Sequence, residues 1–181
     1  MADKFNTIGA RLVDIERGFS YVATKNPFVL EIGCGNGRDA LEILKRTDRF
    51  LGIDISESMI ELAKRTAPEV AFAVADIEQF AFPPDIDLIF SFASLLHSDL
   101  ASIDRILSSA SNSLTEGGVF YISLKYGEGQ VTKTDEFGIR TFYFYKPDDI
   151  HSLMRGNYTV LWEDVHDLRG QKWFSIALRR T

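Results

Sequence analysis

Three glycines alternate with other residues in the run Glu31-Ile32-Gly33-Cys34-Gly35-Asn36-Gly37-Arg38. Glycines at that spacing let a backbone turn tightly and come close to a ligand. A structural turn would also use them, so position matters. The run follows an apolar stretch at 28–32 and opens a helical pattern at 38–46. Asp54 closes the next apolar stretch, 21 positions after Gly33. That is the spacing of a carboxylate that accepts from both hydroxyls of a ribose. A helix N-cap is the other role open to Asp54. The dinucleotide fingerprint G-x-G-x-x-G fails from Gly33, because its third glycine would fall on Arg38. From Gly35 it reads Gly37 and Ala40, two residues late relative to the strand. A carboxylate at Glu31, just before the loop, opposes nearby phosphate charges and suits a ligand with positive groups.

The elements around this loop follow from the hydrophobic pattern. Helical spacing of Ile8, Leu12, Ile15 and Phe19 predicts a helix over 8–23, part of an N-terminal cap over 1–25. Strands are expected at 28–32, 50–55, 70–75, 86–92 and 119–124. Helices are expected between them at 38–46, 56–67 and 99–114, the second capped by Ser56 or by the Ser58-to-Glu61 box. Mostly continuous apolar strands alternating with helices predict a parallel sheet covered on both faces. After Lys125 the pattern changes. Residues 126–138 are glycine-rich and polar, and 141–145 are aromatic and extended. A short helix over 147–154 precedes strands at 158–163 and 172–179. About eight residues separate those two, too few for a helical crossover, so they pair antiparallel.

Those ordered segments resemble the class I S-adenosylmethionine (SAM)-dependent methyltransferases. Glu31 to Gly37 resembles the family's first motif, and Leu51-Gly52-Ile53-Asp54-Ile55-Ser56 its second. Val74-Ala75-Asp76-Ile77 resembles the adenine-contacting segment, Asp85 to Ser91 the fourth motif, and Leu114-Thr115-Glu116-Gly117-Gly118 the turn before strand five. SAM carries a sulfonium, an ammonium and a ribose diol, and no phosphate. The resemblance implies an α/β Rossmann-like three-layer sandwich: a seven-stranded, mostly parallel sheet with an antiparallel C-terminal hairpin, in one domain spanning 1–181.

It also implies roles for individual residues. Gly33, Cys34, Gly35 and Gly37 would bring backbone to the methionine part of SAM. Glu31 would organise the loop or face the amino group, and Arg38 would meet the carboxylate or a lid acid. Asp54 would hold the ribose. Ile55 and Met59 would pack on the adenine, Asp76 and the Ile77 amide would bond its edge, and Phe92 would flank the cofactor or fill the core. Cys34 reads more readily as a small filler than as a reactive thiol. For catalysis the candidates are His97, Tyr126 and Tyr143, with Ser94 and Lys125 near the same pocket. A base is required only if the acceptor is protonated. Residues 126–146 read as a lid with Gly127 and Gly129 as pivots, or as a strand patching the sheet edge. Tyr21 would close the pocket from the other side.

Composition narrows the partners. Twenty basic and 26 acidic residues leave a net charge of −6, with the basic residues scattered. Nucleic acid and acidic membrane surfaces are disfavoured, and a small-molecule acceptor is expected. One cysteine, Cys34, excludes an intrachain disulfide and a multi-cysteine zinc site, so no metal is expected. Without an apolar signal segment after Met1 or a membrane-length apolar run, the expected location is the cytoplasm.

Overall fold

The computed structural model describes residues 10–135 and 138–181. The expected helix start at Ile8, and Phe137 in the aromatic segment, lie outside the described residues. In chain order the elements are α1 (Leu12–Ser20), β1 (Val29–Ile32), α2 (Ala40–Ile43), β2 (Phe50–Asp54), α3 (Glu57–Thr66), β3 (Ala71–Val74), β4 (Ile86–Phe92), a 3-10 turn (Leu95–His97), α4 (Leu100–Ser113), β5 (Leu114–Lys125), β6 (Gln130–Asp135), β7 (Gly138–Tyr143), α5 (Pro147–Leu153), β8 (Tyr158–Leu168) and β9 (Gln171–Arg180).

Among the described residues the main sheet has seven strands in the order β3-β2-β1-β4-β5-β9-β8. The first five run parallel, and β9 is antiparallel to both its neighbours. The strand order reverses between β1 and β4, which makes a crevice at their carboxyl ends.

Side-chain alternation splits the core into two layers. Leu30, Ile32, Ile89, Phe120 and Ile122 pack under α4 and α5. Val29, Leu88, Phe90, Phe92, Val119 and Tyr121 pack on the opposite face, under α1, α2 and α3. Gly18 lets α1 approach β4 closely: a Cβ there would lie 2.4 Å from the Phe90 ring. On the same face the Tyr121 hydroxyl donates to Asp14 at 2.6 Å.

Helix entries follow the capping residues. Ser56, rather than Ser58, caps α3 by accepting from the Met59 amide at 3.4 Å. Asp99 caps α4 by accepting from the Ser102 amide at 2.8 Å. The helix expected over 38–46 is a single turn of α-helix flanked by turns.

The C-terminal strands are longer than expected. They meet across a two-residue loop, Arg169-Gly170, in which both residues have positive φ (55° and 74°). A type I′ turn requires that geometry, and its twist suits a hairpin. The polar stretch Asp164 to Leu168 reads as a loop, yet it satisfies its backbone against β9. Among the described residues β6 and β7 pair with each other and form a separate two-stranded sheet. The hairpin thus lies outside the main sheet, while Tyr126 and Tyr145 at its base donate to the Lys172 and Lys125 carbonyls of that sheet.

Candidate active site

A cavity of about 760 Å³ opens at the carboxyl ends of β1, β2 and β4, the size range of small-molecule sites. Asp54, Ile55, Asp76 and Ile77 line one side, and His97 and Thr141 the other. A smaller cavity, about 160 Å³, is lined by Arg11, Cys34, Gly35, Arg38, Asp39 and Met59, among others. Gly33 and Asp54 border both.

Asp54 ends β2, so its carboxylate stands at the crevice. Oδ2 accepts from the Gly35 amide at 2.9 Å, and Oδ1 accepts from the Ser56 amide at 2.9 Å. One residue thus ties the glycine loop to the entry of α3. Each carboxylate oxygen retains capacity for a further hydrogen bond. Asp76 lines the cavity, and its Oδ1 accepts from the Glu78 amide at 3.0 Å in a turn.

Strand alternation decides two other placements. Glu31 shares a face with Val29, turned towards α1 and α2. It is 2% exposed, and its Oε2 has no hydrogen-bond partner. Burial and the charge of Asp39 hold its pKa well above the usual carboxylate range, against the pull of Arg11 and Arg38. Asp39 goes the other way. Burial alone would raise it, but bonds from Arg38 and the charge of Arg11 keep it low. Arg11 Nη1 lies 2.8 Å from Asp39 Oδ2, and Arg38 pairs with the same carboxylate.

Phe92 lies on the same face as Leu88 and Phe90. It stacks on Phe90 at 4.9 Å, sits beneath Arg11, and does not line the main cavity. The next two residues, Ala93 (φ 59°) and Ser94, do line that cavity. Gly37 is buried against Ala63 and Phe72 and serves close packing of the loop on α3 rather than the cavity wall. Burial and nearby carboxylates push the Cys34 thiol far up, so it is no thiolate.

His97 lines the cavity, and its Nδ1 lies 2.8 Å from the Thr141 carbonyl. A carbonyl only accepts, so Nδ1 carries the proton and Nε2 holds the lone pair in the neutral ring. Desolvation lowers the His97 pKa, and the charges of Arg140 and Lys125 lower it further.

Neither candidate tyrosine lines the cavity. Tyr126 donates its amide to the Lys172 carbonyl, and its ring lies 5.5 Å from Lys172 Nζ. Tyr143 lies two residues beyond Thr141 on β7 and stacks on Tyr145, whose hydroxyl bonds the Ser98 carbonyl. Tyr21 packs at the far end of α1 against the core, with its carbonyl accepting from Arg179, so Arg11 rather than Tyr21 reaches the site. Arg11, Asp39, Ser94, Ile139, Arg140 and Thr141 went unassigned or secondary in the sequence, because tertiary contact alone brings them to the crevice.

The site fits SAM on three counts. A Cβ on Gly35 (φ +55°) would meet nothing within 4 Å, so the loop leaves space where a ligand would approach its backbone. Glu31 keeps a buried oxygen without a hydrogen-bond partner behind that loop, able to accept from a donor that approaches there. Asp54 borders both cavities, where a ribose would join an adenine to an amino-acid chain.

The family model for a methyltransferase domain matches residues 29–118, about half of the chain. A trans-aconitate 2-methyltransferase from Enterobacter sp. (strain 638) is 41% identical over 69 residues, 37% of this chain and 27% of that protein. A malonyl-[acyl-carrier protein] O-methyltransferase from Ilyobacter polytropus is 33% identical over 97 residues, 51% of this chain and 36% of that protein. The chain thus matches about a third of these relatives' length. A SAM-dependent methyltransferase from Methanosarcina mazei superposes with a TM-score of 0.77 at 19% identity, over 90% of this chain and 95% of that one, a likeness of fold. The chain belongs to the class I SAM-dependent methyltransferases. SAM is the cofactor of that family.

Proposed function

We propose that this chain transfers a methyl group from SAM to a small-molecule acceptor, with the β6–β7 hairpin as the lid over the acceptor. The observation that carries this reading is Asp54, standing at the crevice between the glycine-loop cavity and the larger cavity that β7 closes. When bound, SAM supplies an activated methyl on a positive sulfur. Asp54 would hold the ribose, Asp76 and Ile77 the adenine edge, and Ile55 and Met59 its faces. Gly33, Cys34 and Gly35 would admit the methionine part, with Arg38 and Arg11 near its carboxylate and Glu31 behind. The protein's remaining task is to align donor and acceptor and to exclude water. β7 does both, since Ile139, Arg140 and Thr141 close the cavity opposite Asp54.

The acceptors named for the relatives differ, trans-aconitate in one and a malonyl group on a carrier protein in another, so the acceptor must be sought in this chain's own residues. A cytoplasmic protein fits the lone buried Cys34. No helix among the described residues is long and apolar enough to cross a membrane. Incubation with methyl-labelled SAM and a metabolite extract is expected to label a small molecule. SAM bound without label in any product would make the chain a non-catalytic SAM-binding protein.

A further inference from the structure

The 3-10 turn after β4 fixes where His97 stands. Leu95 and Leu96 are buried in the core, and the His97 amide donates to the Ser94 carbonyl at 3.1 Å. Residues three apart eclipse in such a turn, so His97 follows Ser94 on one face, about 6 Å further along the axis. Both line the main cavity. Ser94 lies against the glycine loop, where a Cβ on Gly33 would come within 2.3 Å of its Oγ. The turn therefore leads from the cofactor loop to the hairpin. There the His97 ring meets β7 twice: Nδ1 bonds the Thr141 carbonyl at 2.8 Å, and the ring packs 4.6 Å from Phe142. Nε2 has no hydrogen-bond partner among the described residues. Ile139, two residues before Thr141, lines the same cavity and is 75% exposed. An apolar side chain left to water on a cavity wall suits a ligand with an apolar body.

We infer that the acceptor is an aromatic hydroxyl compound and that His97 Nε2 is the base that takes its proton; this rests on the methyl-transfer reading above. The Thr141 carbonyl holds the proton on Nδ1, so the hairpin that walls the acceptor also orients its base. The acceptor oxygen forms a bond to the methyl carbon while its O–H bond breaks, and the proton passes to Nε2. The carbon–sulfur bond breaks with its electron pair left on sulfur. The products are an aryl methyl ether, S-adenosylhomocysteine (SAH) and an imidazolium that returns its proton to solvent. A carboxylate acceptor would need no base, and a neutral amine loses its proton only after transfer; a weakly acidic hydroxyl needs one beforehand. Desolvation is the largest influence on the ring. With the charges of Arg140 on β7 and Lys125 at the end of β5, it lowers the His97 pKa against the Thr141 bond and Asp54. The ring is then neutral at neutral pH, ready to accept.

The test supplies methyl-labelled SAM with a series of 4-substituted phenols of graded acidity, the matching benzoates and anilines serving as controls. Label on the phenols, as ethers stable to mild base, and none on the controls is expected. Wild-type kcat/KM for the weakly acidic phenols should rise with pH through one ionisation below the ordinary histidine value, since protonation of His97 removes the base. His97→Asn keeps an N–H for Thr141 but no base. It should lower kcat by about a hundredfold or more on those phenols and abolish the acid limb, while SAH affinity stays within about threefold. On 4-nitrophenol, largely ionised at mildly alkaline pH, the same variant should lose far less; a merely structural histidine would not give that split. Without turnover, the phenols should raise the melting temperature of the SAH-bound protein and the benzoates should not. If SAH binds and the label goes to the benzoates or anilines or to none of the panel, the inference is overturned while SAM binding stands. It is overturned equally if the acid limb persists in His97→Asn, or if the variant's loss is the same on ionised and un-ionised phenols. Failure to bind SAH at all would overturn the methyl-transfer reading and this inference with it.

Discussion

Asp54→Ala is expected to lower SAM affinity at least tenfold. Its carboxylate would accept from two ribose hydroxyls, and a hydrogen bond to a charged acceptor is worth about 1.5–3 kcal/mol. Partial exposure of the residue trims that figure, so tenfold is the lower bound. The same substitution removes the acceptor for the Gly35 and Ser56 amides. Both groups lie near solvent and can turn to water, so the loss of stability should be about 1–2 kcal/mol, a few degrees in melting temperature for a chain of this size. Calorimetric titration and thermal melting separate the two effects. A variant that melts lower but binds SAM like the wild type would confine Asp54 to organising the loop and the start of α3.

Gly33→Ala should be the more damaging change to the fold. Gly33 has φ +72°, and a Cβ there would lie 2.3 Å from Ser94 Oγ and 2.4 Å from Ser94 Cβ. The hydroxyl can rotate away; the Cβ cannot. Left-handed backbone costs about 1–2 kcal/mol for a residue with a side chain, and overpacking a further 1–3 kcal/mol. SAM binding should fall with stability, because Gly33 and Ser94 both form the cavity wall. Gly33→Ala combined with Ser94→Gly should recover the steric part and leave the backbone part. Gly35→Ala supplies the contrast. Its Cβ meets open space, so it should lose only the backbone part in stability while narrowing the room for the cofactor. Equal melting temperatures for Gly33→Ala and Gly35→Ala would show that the Ser94 contact does not hold the loop.

Much of this architecture could be read from the chain because its signals are local. Apolar runs, the alternating glycines and the acidic residue at the end of β2 sit within short windows. What escaped depends on partners distant in sequence. Glu31 and Phe92 were readable as residue types, but the face of β1 or β4 on which they fall is fixed by the register against α1, α2 and the neighbouring strands. Arg11 and Asp39 are 28 positions apart and meet only once α1 crosses the glycine loop. Likewise, β6 is a polar strand with no apolar face to mark it, and its pairing with β7 satisfies the backbone of both. The aromatics of 126–146 drew attention to Tyr126 and Tyr143. The folded hairpin instead turns Ile139, Arg140 and Thr141 towards the cavity and stacks Tyr143 beneath it on Tyr145.

The central claim is that the crevice between β1 and β4 binds SAM and not a nicotinamide dinucleotide. Parallel calorimetric titrations of the wild-type protein with SAH and with NADH test it most directly. The account predicts micromolar binding of SAH, about −8 kcal/mol, and far weaker binding of NADH, whose two phosphates would approach the Asp54 carboxylate with no phosphate-cradling loop to offset the repulsion. NADH binding as tight as SAH, or tighter, would contradict it.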